Sequence, residues 1–279
     1  MKIVVLGSKG MLGSALELRL KGSEHTVVCL SRKQLDLTDR EKVLVHKSLR
    51  AADVIVNCAA FTEVDKCEDD YFKALEVNGC VPRYISEVCD EVGSLMVQVS
   101  TDYVFNGRLD RPYTERDSWS PLNAYGDSKV VGEICALRSE RNIIVRTAWL
   151  YGPYKENFIF KIVKRASKSK RIEVVSDQFG TPAYTVDLSD WILKLVESGE
   201  TGIFHGVNDG VASWFEFAKE AIALSGIDCE VIPITSEEAK EKFGLKAERP
   251  AYSVLDCGRL KTVVGDVRHW REALKEYLS

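Results

Sequence analysis

Met1-Lys2-Ile3-Val4-Val5-Leu6-Gly7-Ser8-Lys9-Gly10-Met11-Leu12-Gly13 opens the chain. Ile3 to Leu6 reads as a short buried strand, and Met11 to Leu20 has the apolar periodicity of a helix. Between them lies a turn built on Gly7, Gly10 and Gly13. A glycine-rich turn joining a first strand to a first helix is the setting in which a dinucleotide pyrophosphate is bound. Glycine permits the tight turn and lets phosphates approach the backbone, while the helix N-terminus offers free N–H groups and the positive end of its dipole. The spacing is G-x-x-G-x-x-G rather than G-x-G-x-x-G. The placement after the strand therefore carries the reading more than the spacing does.

The rest of the first 150 residues repeats this alternation. Thr26 to Leu30, Val54 to Ala60, Leu95 to Ser100 and Ile143 to Trp149 read as further strands. The near-continuous apolar character of Val54 to Ala60 suits burial on both faces of a parallel sheet. Tyr71 to Val92 is helical in pattern, and Pro82 inside it is expected to break or kink the helix. Strands alternating with helices imply right-handed crossovers and an open, doubly wound parallel sheet of the α/β class. After Gly152 the pattern is less regular. Helices are expected at Phe158 to Ala166, Val186 to Val196, Ser213 to Leu224 and Trp270 to Leu278, and strands at Ile172 to Val175, Ile203 to Val207 and Cys229 to Ile234. Ser213 and Glu216 have the spacing of a capping box. Residues 1–150 thus read as a dinucleotide-binding domain and 151–279 mainly as a smaller substrate-binding lobe, with the chain crossing back to the sheet.

Composition excludes several other classes. At 279 residues, with 45% hydrophobic and 29% charged content, the chain is long enough for one large domain or two small ones. A net charge of −4 gives no reason to expect a nucleic acid or an anionic membrane as partner. No apolar run is long enough to span a bilayer, and the apolar start is too short for a signal peptide, so a cytoplasmic protein is expected. The eight cysteines form no C-x-x-C pair and the four histidines are scattered, so neither a redox motif nor a metal is predicted.

Tyr125 and Lys129 lie four residues apart, on one face of an expected helix. In that arrangement an ammonium can stabilise a phenolate and lower its pKa, making the tyrosine a usable general acid. With ten tyrosines, such a pair arises by chance roughly once in a chain of this composition. Tyr151 and Lys155 form a second pair, but Gly152-Pro153 between them argues against a shared helical turn. At the end of the second strand, where an NAD-preferring enzyme usually carries Asp or Glu for the ribose 2′-hydroxyl, the chain has Ser31-Arg32-Lys33. Together with Lys9 in the glycine turn, Arg32 and Lys33 could pair a 2′-phosphate, which predicts NADPH, with NADH as the alternative. The plainer reading of Arg32 and Lys33 is a solvated charged strand end.

Four segments carry a resemblance: Asn57 to Thr62 (NCAAFT), Ser100 to Gly107 (STDYVFNG), Tyr125 to Lys129 (YGDSK) and Arg146 to Gly152 (RTAWLYG). Together they resemble the extended short-chain dehydrogenase/reductases with their Rossmann-type sheet and, more narrowly, the dTDP-4-dehydrorhamnose reductases. Asp177 to Pro182, Gly202 to His205 and Arg249 to Ser253 agree, so the resemblance spans essentially the whole chain. It implies reduction of the 4-keto group of a nucleotide-linked 6-deoxy sugar, dTDP-4-dehydro-L-rhamnose to dTDP-L-rhamnose, within dTDP-rhamnose biosynthesis. It also implies roles. Tyr125 would give a proton to the ketone oxygen, Thr101 would hydrogen-bond the same oxygen, and Lys129 would bind the nicotinamide ribose. Gly10, Met11 and Leu12 would line the pyrophosphate, Asp36 and Leu37 the adenine, and Ala59, Ala60 and Phe61 the remaining cofactor. Trp149 would contact the sugar nucleotide with Asp102 nearby.

Taken alone, Thr101 also fits a strand-end hydroxyl that caps backbone, and Trp149 also fits a core aromatic. Two other functions stay open. One is reduction of a different keto-sugar nucleotide. The other is a non-catalytic, NADP-binding regulatory subunit resembling methionine adenosyltransferase β, whose relatives lack Trp149 in the R-T-x-W segment. Ser31 departs from the acidic residue often found at that strand end in the family. The acidic residues that hold a magnesium ion at a dimer interface in some members match no motif here, and a homodimer is an arrangement the resemblance allows.

Overall fold

A computed structural model describes all residues, 1–279. Six parallel strands form one sheet: β1 (Lys2–Leu6), β2 (Thr26–Leu30), β3 (Val54–Asn57), β4 (Leu95–Thr101), β5 (Asn142–Thr147) and a last strand, Gly202–His205. Their spatial order is Gly202–His205, β5, β4, β3, β1, β2. The order reverses between β1 and β3, at the carboxyl ends of the strands. That crevice is where open α/β sheets bind ligands.

Alternate residues of each strand enter opposite cores. Ile3 and Val5, Val54 and Val56, and Ile143 and Val145 pack with Leu12, Leu16 and Leu20 of α1 (Met11–Leu20) and with Trp191, Ile192 and Leu195 of the helix Thr185–Ser198. Val4, Leu6, Ile55, Met96 and Ile144 pack on the other face against Val43, Leu49, Val81, Ile85 and Val88. Burial on both faces explains why these strands read as continuous apolar runs.

Two sequence expectations change. The strand expected at Val54–Ala60 ends at Asn57, because the following backbone leaves the sheet to border the crevice. The interruption expected at Pro82 takes the form of a π-turn just before it. Helix Tyr71–Leu75 passes through a π-turn, Glu76–Cys80, into helix Val81–Val92, and Pro82 falls in the first turn of that last segment, where its missing N–H is not needed. The capping box at Ser213 and Glu216 forms as expected.

The C-terminal part divides in space. Helix Thr185–Ser198 and strand Gly202–His205 belong to the main sheet. The smaller lobe is built from three short ladders and the helices Phe158–Ala166, Trp214–Leu224, Ser236–Phe243 and Trp270–Leu278. Its centre is aromatic, with Tyr151, Tyr184, Phe217 and Trp270 buried together. The segment 246–255 straps this lobe to the sheet domain: Lys246 and Ala247 donate backbone N–H groups to Asp65, and Tyr113 N–H reaches the Val254 carbonyl. No helix is long and apolar enough to cross a membrane.

Candidate active site

Two clefts at the crevice share Lys9, Gly10, Cys58 and Ala60 and so form one continuous groove. The first, about 350 Å³, is bordered by Gly7, Ser31, Arg32, Asp36, Leu37, Ala59 and Phe61. The second, about 620 Å³, is bordered by Met11, Leu12, Thr101, Asp102, Tyr125, Lys129 and Trp149. The expected residues therefore sort into two groups, one along each cleft. Gly13 and Lys33 lie off the groove, so of the two cations expected at the end of β2 only Arg32 borders it. A Cβ on Gly13 would meet the Gly7 carbonyl oxygen at 2.4 Å, so Gly13 lets α1 pack onto the turn rather than contacting a ligand. Gly7 has φ +70°, and a Cβ there would meet Ala59 N at 2.7 Å. The turn is thus a cradle with no room for side chains, which fits a pyrophosphate. Facing the second cleft, the buried hydroxyls of Ser100 and Thr147 have no hydrogen-bond partner.

At the end of β2, the Ser31 N–H and hydroxyl both donate to Gln34 Oε1, at 2.9 and 2.7 Å. The strand end itself carries no carboxylate, although Asp36 and Glu76 border the same cleft. Arg32 and Lys9 border the cleft, and Lys73, which sequence reasoning missed, adds a third cation. Asp36 lies nearby with its carboxyl held below the usual range, first by the Thr38 hydroxyl.

The helix that carries Tyr125 and Lys129, Ala124–Ala136, starts at Asn123, whose side chain accepts from Gly126 N–H at 2.8 Å and donates to the Glu248 carbonyl at 2.7 Å. A Cβ on Gly126 would lie 2.2 Å from the Tyr103 carbonyl, so only glycine lets the helix start approach the turn after β4. Asn78 in the π-turn locks the cofactor side to this helix. It accepts from Phe61 N–H at 2.8 Å and donates to the Phe61 carbonyl and to Ser128 Oγ, both at 3.0 Å.

Tyr125 and Lys129 share one helix face and one cleft, but the Lys129 ammonium is not on the phenol. It donates to the Val99 carbonyl at 2.6 Å. Burial pushes the Lys129 pKa down to about 8, against the pull of Glu133 one turn away. Burial likewise pushes the Tyr125 phenol up, with the nearby Thr101 hydroxyl acting in the opposite sense. Lys129 is not among the groups that shift the Tyr125 pKa, so the expected lowering by Lys129 is absent and the phenol keeps its proton. Shared helical spacing fixes a face, not the direction of a flexible four-carbon chain.

Thr101 ends β4 and is buried. Its hydroxyl donates to Asp102 Oδ1 at 3.0 Å and accepts from Tyr103 N–H at 3.2 Å. Trp149 is the only non-glycine residue with positive φ, at 46°. It stacks on Trp214 of the smaller lobe with ring centroids 3.7 Å apart and planes 12° apart, and Gly180 packs beneath it. This sparsely populated backbone conformation is held by the packing around it, at the wall of the second cleft. Tyr151 lies in a short strand and Lys155 in a turn, as expected of a pair that shares no helix, though Lys155 does border the second cleft.

The family model described as RmlD substrate binding domain matches residues 1–279. The spore coat polysaccharide biosynthesis protein SpsK of Bacillus subtilis is 40% identical, over 100% of this chain and 97% of that one. A dTDP-4-dehydrorhamnose reductase from Clostridium acetobutylicum is 40% identical with a TM-score of 0.95, covering 100% of this chain and 98% of its own. One from Bacillus anthracis, in complex with NADP, is 34% identical with a TM-score of 0.94, covering 99% and 98%. A family match over the complete chain, with relatives of 39–40% identity and the same fold, leads to one conclusion: the chain belongs to the dTDP-4-dehydrorhamnose reductase family of oxidoreductases.

Proposed function

We propose that this protein uses NADPH to reduce the 4-keto group of a dTDP-linked 6-deoxy sugar, converting dTDP-4-dehydro-L-rhamnose to dTDP-L-rhamnose. The observation that carries the reading is the meeting of Thr101, Tyr125 and Lys129 in one cleft continuous with the glycine turn. When bound, the nicotinamide supplies the hydride for the carbonyl carbon.

The chain's own residues do the rest. Gly7, Gly10, Met11 and Leu12, at the head of α1, hold the pyrophosphate. Arg32, with Lys9 and Lys73 bordering the same cleft, pairs the 2′-phosphate, and Asp36, Leu37 and Ala59 to Phe61 flank the adenosine side. Lys129, cationic below about pH 8, binds the nicotinamide ribose. Tyr125 keeps its proton until negative charge builds on the ketone oxygen and then donates it there, while Thr101 hydrogen-bonds the same oxygen. Trp149, braced on Trp214, forms a rigid wall for the sugar nucleotide. Residues 1–150 hold the cofactor, and the lobe within 151–279 holds the substrate.

Loss of NADPH absorbance with dTDP-4-dehydro-L-rhamnose, run beside NADH, tests the proposal directly. Tyr125→Phe should lower turnover by roughly 10²- to 10⁴-fold while leaving NADPH binding intact. Unchanged turnover removes Tyr125 from its role. Tight NADPH binding without oxidation, by the unaltered protein, removes this substrate.

A further inference from the structure

Ser253 lies in the strap between the two lobes, 2% exposed, with its N–H on the Phe179 carbonyl at 2.8 Å. Its hydroxyl donates to Asp102 Oδ2 at 2.5 Å. The other oxygen of the same carboxyl, Oδ1, faces Thr101 Oγ1 at 3.0 Å. A chain of contacts therefore runs from the C-terminal strap through a buried carboxyl to the hydroxyl beside Tyr125. No role in the reaction proposed above accounts for its far end.

The Thr101 hydroxyl has one proton. While Asp102 is ionised, that proton is spent on Oδ1, and Thr101 can only accept from the cleft. When Asp102 is a neutral acid with its proton on Oδ1, Asp102 donates to Thr101, and the Thr101 proton is free for a substrate oxygen. Each bond in such a chain polarises the next toward the developing alkoxide. Ser253 decides which carboxyl oxygen carries the acid proton. By occupying Oδ2 as a donor, it leaves Oδ1 as the protonation site.

We propose that Ser253 is a positioning residue for the reduction: it holds the Asp102 carboxyl so that Oδ1 donates to Thr101 and the Thr101 hydroxyl is released to the substrate ketone. The inference rests on the function proposed above. Burial supplies the required neutral acid, raising the Asp102 pKa to about 6 even against the Ser253 and Thr101 donors. Facing Asp102 are the phenols of Tyr103 and Tyr125, both of which sense its charge. Beyond Tyr103 lies the Arg249–Asp65 ion pair, 2.7 Å apart, whose charges offset one another. Hydroxyl and backbone N–H groups rather than a cation thus hold this carboxyl.

The test is the pH dependence of kcat/KM for the keto-sugar at saturating NADPH. In the unaltered enzyme kcat/KM should fall as pH rises through about 6, where Asp102 ionises. Ser253→Ala removes a donor to the carboxylate. It should move this limb upward by about one pH unit and lower the plateau, without changing the NADPH dissociation constant. Ser253→Thr, which keeps the hydroxyl, should restore both. Asp102→Asn is a permanent mimic of the neutral acid, with its carbonyl toward Ser253 and its amide N–H toward Thr101. It should stay active and lose the limb.

A limb that stays in place in Ser253→Ala, or that persists in Asp102→Asn, overturns the positioning role even if overall activity drops. An unaltered protein that reduces no keto-sugar nucleotide instead overturns the function itself, and this inference with it.

Discussion

Replacing Glu133 by Gln should unfold the protein far more readily than its distance from any ligand suggests. Glu133 and Arg146 are 0% and 1% exposed. Arg146 donates from Nε to Glu133 Oε1 at 2.9 Å and from Nη2 to Oε2 at 2.7 Å, and Trp119 Nε1 donates to the same Oε2 at 2.6 Å. Three donors thus converge on two carboxylate oxygens. Glutamine turns one of those oxygens into an NH₂ group and sets donor against donor. The guanidinium has little in reserve, because its Nη1 is already buried without a partner and its remaining neighbour is the Phe105 ring, 5.0 Å from the guanidinium carbon.

Removing one member of a buried pair costs about 3–5 kcal/mol, and retained hydrogen bonding places Glu133→Gln near about 3. For a chain of this size that is a fall in Tm of roughly 6–12 °C. Urea unfolding followed by tryptophan fluorescence and circular dichroism reads it. The companion experiment is the double variant Glu133→Met with Arg146→Met, which removes both charges and should recover much of the loss. A single-variant loss below about 1 kcal/mol, or a double variant as damaged as the single one, refutes the reasoning.

Arg32→Ala should weaken NADPH binding by about tenfold, the share of one charge-assisted contact when Lys9 and Lys73 remain, and leave NADH nearly untouched; calorimetry showing equal effects on both would sink the 2′-phosphate assignment. Asp102→Asn should change stability in a pH-dependent way. The folded-state pKa of Asp102, about 6, is raised above its ordinary 3.8, so its contribution is full below about pH 4 and is lost as pH rises through 6. The variant should therefore gain on the unaltered protein by about 2.4 kcal/mol between pH 4 and pH 7.5; a constant difference in Tm across that range contradicts this. Gly7→Ala forces a Cβ to within 2.7 Å of Ala59 N at a φ of +70°. It should abolish cofactor binding and lower Tm by several degrees, and tight NADPH binding by the folded variant would show that the cradle is looser than it is built.

Local signals were read well from sequence because their causes are local. The opening strand, the glycine turn and α1 lie within twenty residues, and Leu12, Leu16 and Leu20 are buried as their spacing promised, while Leu18, off that face, is exposed. The capping box at Ser213 is equally self-contained. Short helices such as Arg40–Val45 and Val64–Asp69 escaped notice because six residues show too little periodicity to register. The interruption near Pro82 is a π-turn immediately upstream, a form that propensity does not specify, and it leaves the proline in the first turn of the next segment.

In the site, the chemistry-bearing residues were legible and their partners were not. Lys129 is anchored by a backbone carbonyl thirty positions away, Asp102 by Ser253 from the other lobe, and Trp149 by Trp214. A pattern within one segment carries no information about which distant group will meet it.

The pairing of Gly202–His205 with β5 also bears on how the chain is made. Ile143 to Arg146 take their outer partners from residues 202–205, with Ile143 beside Gly202 and Arg146 beside His205. During synthesis, β5 must therefore wait as a bare apolar edge until about 55 more residues have followed it, roughly 3–11 s at ribosomal speeds. An edge of that kind is a template for pairing with other chains. A fragment ending near residue 150 keeps this edge open permanently, so it should collect in aggregates rather than fold as a free-standing cofactor domain.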